Sequence, residues 1–171
     1  MDPSLEKAYV KLSNNLEELV KIYRSLLDIV RKEKDYLILA NQEKLEENNQ
    51  LKESVLFKLR AQDSLRMRYA AELASLLKSD VDNPRLLVLA QKMGGHEGDR
   101  LRSLHSALDI VIRRMTEINK ENEEYAKSAL KTLDGALQDI KGSLSGKKTY
   151  EKSGQYKSGS DTAGHFVRKE I

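Results

Sequence analysis

A histidine stands beside carboxylates in GGHEGD, where His96, Glu97 and Asp99 lie within four residues. An imidazole flanked by carboxylates is able to ligate a divalent cation. Hydrolytic metal sites on helices, however, draw on a second histidine one turn later, as in HExxH, and none follows here. The simpler reading is the acidic first turn of a helix, where the macrodipole stabilises negative charge and Gly94-Gly95 marks the end of the segment before it. His105 lies beside Leu101, Leu104 and Leu108 and reads as a flank residue, and His165 has no nucleophile or carboxylate constellation around it. No GxxxxGK[ST], GxSxG or GxGxxG run is present. Gly142, Gly146, Gly154, Gly159 and Gly164 are scattered rather than set between a strand and a helix, so they form no phosphate cradle. With no cysteine, thiolate metal sites, disulfides and cysteine nucleophiles are excluded. The expectation is a protein that is not an enzyme and carries no metal or cofactor.

A second group is polar but not catalytic in type. In EINKENEEY, Asn122 falls on an apolar seam and Asn119 sits one turn before it. A buried asparagine in a helical seam lowers stability while fixing register or oligomeric state. The alternative is that the apolar stripe changes face at this point and leaves both amides solvated. Periodicity alone favours that alternative, because a neighbouring stripe takes over at Leu130, Leu133 and Leu137.

These side chains are carried by strongly periodic, glycine-poor sequence. Either Asp2 with Pro3 at the first helical position, or Ser4 followed by Glu6, caps a first helix. Leu5, Tyr9, Leu12, Leu16, Leu19, Tyr23, Leu26 and Val30 then recur at spacings of four and three, the repeat of a left-handed supercoil, and the seam passes Glu33. Asn41, followed by Glu43, Glu46 and Glu47, reads as the cap of a second helix after a reversal at residues 39–42; one unbroken helix is the alternative. A looser stripe from Leu45 to Leu77 ends at SDVDNP. Asn83 as cap and Pro84 at the first helical position predict a short connector helix, PRLLVLAQKM, closed by Gly94-Gly95. The longest helix starts near His96 and Glu97, with a seam of Leu101, Leu104, Leu108, Val111, Met115 and Ile118, and then the stripe of Leu130, Leu133, Leu137, Ile140 and Leu144. A helix of some fifty residues spans on the order of 70 Å and needs partners. The expected fold is all-α: an elongated antiparallel three-helix coiled-coil bundle over residues 1–144, with a short connector helix and a flexible basic C-terminal tail over 145–171.

Composition agrees with that class. Charged residues make up 33% of the 171-residue chain and aromatics 5%, with no tryptophan and two prolines, as expected when each helix buries a single stripe. The net charge of +3 resides in the tail, where six basic residues face three acidic ones, while acids and bases balance in the body. Interleaved charge argues against a duplex-binding surface, and binding of polyanions by Lys147, Lys148, Arg168 and Lys169 is disfavoured. The sequence from Met1 to Glu6 has neither a basic nor an apolar run, so neither a secretion signal nor stable membrane insertion is expected.

The order of these elements resembles the FlgN flagellar export chaperones. The resemblance covers essentially the whole chain and rests on an N-terminal heptad helix, a long second helix, and a third helix bearing INKEN (Asn119 and Asn122) followed by ALKTLDGALQDIKGSL. TYEKSG, with Tyr150 and Gly154, then precedes a basic end. It implies a cytoplasmic type III export chaperone that covers the helical C-terminal segments of the hook-filament junction proteins FlgK and FlgL and delivers them to the export gate protein FlhA. Tyr150, with Gly154, matches the family's gate-docking motif, and Tyr156 and Phe166 lengthen the aromatic content of the tail beyond that pattern. Helix-in-groove logic assigns the client to Leu130, Leu133, Leu137, Ile140 and Leu144, unless those residues pack internally or in a homodimer. A monomer or weak homodimer is expected. The runner-up is a structural coiled-coil tether or assembly scaffold, for which self-association would be strong.

Overall fold

A computed structural model describes residues 2–144, which are entirely helical apart from turns. Four helices follow in order: α1 (Pro3–Ile38), α2 (Gln42–Leu76), α3 (Leu86–Met93) and α4 (Gly95–Leu144). Asp2 is the cap of α1, accepting from the Leu5 amide at 3.4 Å, with Pro3 at the first helical position; Ser4 lies inside the helix. The reversal falls at residues 39–41. Ala40 takes a left-handed conformation (φ 49°), and Asn41 Oδ1 accepts from the Lys44 amide at 3.0 Å to open α2. The chain turns without glycine or proline because the asparagine side chain satisfies an otherwise unpaired helix N–H.

The start of α3 corrects the sequence reading. Asn83 does not cap it and Pro84 is not its first residue: the helix begins at Leu86, after Arg85 in an extended conformation that makes no side-chain cap bond. The turn before it is organised by Asp80 instead. Its Oδ1 accepts from the amides of both Asp82 and Asn83, at 3.0 and 3.1 Å, a local Asx turn that competes with helix initiation. The far end matches expectation, with Gly94 (φ 63°) and Gly95 (φ 53°) turning the chain into α4. Gly98 is the more demanding glycine, since a Cβ there would lie 2.4 Å from the Ala90 carbonyl oxygen. The missing side chain is what lets α4 rise directly against α3.

The chain divides into two compact units, Met1–Glu123 and Glu124–Ile171, and α4 contributes to both. In the first unit the α1 seam is the core. Tyr9, Leu12, Leu16, Leu19, Leu26 and Val30 are buried as predicted, and Ala8, Val20, Ile22, Leu27 and Ile29 are buried with them. α1 therefore buries more than one stripe. One cluster joins Leu12, Leu16 and Leu19 to Ala70, Leu73 and Ala74 of α2, Leu89 and Ala90 of α3, and Leu101 of α4. A second joins Leu27 and Val30 to Val111 and Ile118. Lys11 with Glu72 and Asn15 with Gln62 show that α2 runs antiparallel to α1, while Glu17 with Arg100 and Lys34 with Glu121 show α4 parallel to it.

Of the second unit, residues 124–144 form the last part of α4, and its large apolar side chains are exposed.

Candidate functional site

Two features of the described residues depart from a plain packed seam. The first is a polar junction in the first unit. Asn122 is 4% exposed, and its Nδ2 donates to the Val30 carbonyl at 2.8 Å and to Glu33 Oε2 at 3.4 Å. Glu33 also accepts from Lys52 Nζ at 2.8 Å, and Lys52 donates on to Asn119 Oδ1 at 3.1 Å. Beside them Asn48, buried on α2, donates to the Ile29 carbonyl at 3.1 Å. Side chains of α1, α2 and α4 thus meet in one network. The preferred sequence reading, in which the stripe switches face and both amides are solvated, is corrected: Asn122 occupies the seam itself, one turn after Ile118. Asn119 lies at the exposed edge but is tied to Lys52.

The clue was Glu33, a carboxylate on the α1 seam, which requires donors from the helices packed against it. Nothing in the sequence identified Lys52 and Asn48 as those partners, because the α2 stripe is too loose to fix its register. The Lys52–Glu33 pair is largely shielded from solvent and so ties the helices more firmly than the exposed pairs do. Nearby, a hydrogen bond from Lys34 holds the Glu121 carboxyl below its usual range. The Asn122 Oδ1 atom is buried and makes no hydrogen bond among the described residues. Such a network positions helices. It contains no nucleophile, and its one carboxylate is already shared between donors.

The second feature is the surface of residues 124–144. Leu130, Leu133, Leu137, Ile140 and Leu144 are between 46% and 62% exposed, and Tyr125 is 45% exposed. At about 100° per residue, Tyr125, Ala129, Leu133, Ala136, Leu137, Ile140 and Leu144 fall with Leu130 and Ala126 on one arc of roughly 140°. Lys127, Lys131, Asp134, Gln138 and Lys141 occupy the other side. A shallow apolar depression lies among Tyr125, Ala129, Thr132, Leu133 and Ala136. An arc this wide is typical of a helix that buries one face against another element, yet here the face is open.

The remaining candidates are quickly placed. Glu97 lies in the first turn of α4, Asp99 pairs with Arg102, and among the described residues no group of histidine and carboxylate side chains could hold a metal ion. His105 sits beside the α4 seam, half-buried. Tyr150, Gly154, Tyr156, His165 and Phe166 lie outside the described residues. Among the described helices none is long and apolar enough to cross a membrane.

A family model described as FlgN protein matches residues 1–158. No curated protein and no solved structure matches the chain.

Proposed function

Because the chain belongs to the FlgN family, whose members are flagellar export chaperones, we propose that it is a cytoplasmic type III export chaperone for hook-filament junction proteins of the FlgK and FlgL type. It covers their C-terminal helical segments and hands them to the export gate protein FlhA. The client lies on Leu130, Leu133, Leu137, Ile140 and Leu144. The observation that carries this reading is the open apolar arc of residues 124–144: a helix buries such a face only against a partner, and a client helix with anchors at i, i+3, i+4 and i+7 is complementary to it. Tyr150 and Gly154, which match the family's Tyr-x-x-x-Gly motif, serve gate docking, with the aromatic ring as the anchor that enters an apolar groove on the gate protein. Asn119 and Asn122 serve the chaperone indirectly, by holding α4 in register with α1 and α2.

Co-purification of the full chain with C-terminal fragments of FlgK-type proteins tests the reading. Binding that is lost in a Leu133→Ala, Leu137→Ala variant supports it, and failure to retain any such fragment overturns it.

A further inference from the structure

A hollow of about 700 Å³ opens in the first unit where all four helices contribute, and the function proposed above does not use it. Its floor and walls come from Leu16, Leu19 and Tyr23 of α1 and from His105, Leu108 and Ile112 of α4. Each set is spaced by three and then four residues, the seam spacing with which one helix offers itself to another. Asp63 and Arg66 of α2 border the hollow on one side, and Pro84 to Val88 close one end. The antiparallel register set by Lys52 and Asn119 brings Arg66 level with His105 and Asp63 level with Leu108 and Asp109. In this stretch no side-chain hydrogen bond or ion pair joins α2 to α4 among the described residues. The hollow is therefore a stretch of the α2–α4 seam that the two helices leave unclosed.

Its rim is chemically selective. Asp63 is paired with Arg66 and Asp109 with Arg113, so these acids are already compensated. The side chains of Arg85 and His105 make no ion pair or hydrogen bond among the described residues, and Arg85, Leu87 and Val88 are exposed. Leu16 and Leu19 are fully buried, so an occupant meets the half-buried Tyr23, His105, Leu108 and Ile112, two exposed apolar side chains and one uncompensated guanidinium.

The geometry points to a second docking surface, distinct from residues 124–144, that takes an amphipathic helix of a partner protein carrying carboxylates beside its leucine-type anchors. Such a helix packs beside the start of α3 and pairs a carboxylate with Arg85. This inference stands whether or not the client reading of residues 124–144 holds.

The test uses the full chain and a synthetic peptide about two heptads long, with leucine at i, i+3, i+4 and i+7 and glutamate on both flanks. A second peptide replaces every glutamate by lysine. Titrations followed by amide NMR are expected to shift Val88, His105 and Leu108 with the acidic peptide. The lysine peptide should bind at least tenfold more weakly at those amides, and Arg85→Glu should erase the preference. Leu87→Ser, an exposed change that leaves the core intact, should weaken the acidic peptide severalfold. Leu133→Ala with Leu137→Ala should leave these shifts unchanged. Shifts confined to residues 124–144, equal binding of the two peptides, or shifts at the hollow that grow with protein concentration alone and so report a second copy of this chain, would each overturn the proposal.

Discussion

At Asn122 the α4 seam carries an amide where Leu101, Val111 and Ile118 carry aliphatic groups, and the cost of that choice is measurable. Asn122→Ala removes a buried hydrogen bond to the Val30 carbonyl and one donor to Glu33, and should lower stability by about 1 to 2 kcal/mol in urea unfolding. Asn122→Leu removes the same amide, its unpaired Oδ1 included, but fills the space with apolar atoms. It should be near-neutral or stabilising in the same measurement, with helix register rather than stability suffering. Equal, large losses in both variants would contradict a positioning role. Gly98→Ala should be destabilising by about 1 to 3 kcal/mol, since the new Cβ meets the Ala90 carbonyl oxygen rather than a side chain that could move aside; thermal melting reads it directly. Burial raises the pKa values of Tyr9 and Tyr23 above the ordinary 10.0, so the folded state favours the neutral phenols. Their contribution is fully present below the unfolded value and is lost as pH rises through the raised folded values. Urea midpoints should hold steady up to about pH 9 and fall above about pH 10.

Among the helices, the legible and the illegible parts of the sequence separate on physical grounds. α1 and the first part of α4 were readable because their seams repeat at three and four, and side chains that bond their own backbone marked the cap at Asn41 and narrowed the α1 cap to Asp2 or Ser4, of which the structure takes Asp2. The α3 boundary was not readable, because Asp80 rather than Asn83 organises the turn before it, bonding the amides of Asp82 and Asn83, and the helix starts only at Leu86. α2 was only half legible. Its stripe includes Leu51, which is 60% exposed, while the residues that determine its register, Asn48 and Lys52, are polar. The leucines of residues 124–144 were visible as a stripe, but periodicity cannot say whether a stripe is covered. Since they are exposed, Leu133→Ala with Leu137→Ala should change the unfolding midpoint very little, within about 0.5 kcal/mol. Circular dichroism melting checks this. A large loss would mean that those side chains pack within the chain or in a homodimer.

For the whole molecule, membership of the FlgN family points to a flagellar export chaperone. A structural scaffold remains the competing class, and it differs in one property. A scaffold associates with itself through its open apolar face, whereas an export chaperone presents that face to a client and stays monomeric or weakly dimeric. Light scattering across a concentration series separates the two, with a nearly constant mass expected. Division of labour gives a further expectation: Tyr150→Ala should leave folding and client affinity unchanged while abolishing delivery to the gate. The decisive measurement is calorimetric titration of the full chain with the C-terminal helical segment of a FlgK-type protein, repeated with the Leu133→Ala, Leu137→Ala variant. One-to-one binding that weakens at least tenfold in a variant whose melting curve is unchanged is the predicted result. No binding, or equal affinity for both proteins, would contradict the assignment of the client to α4.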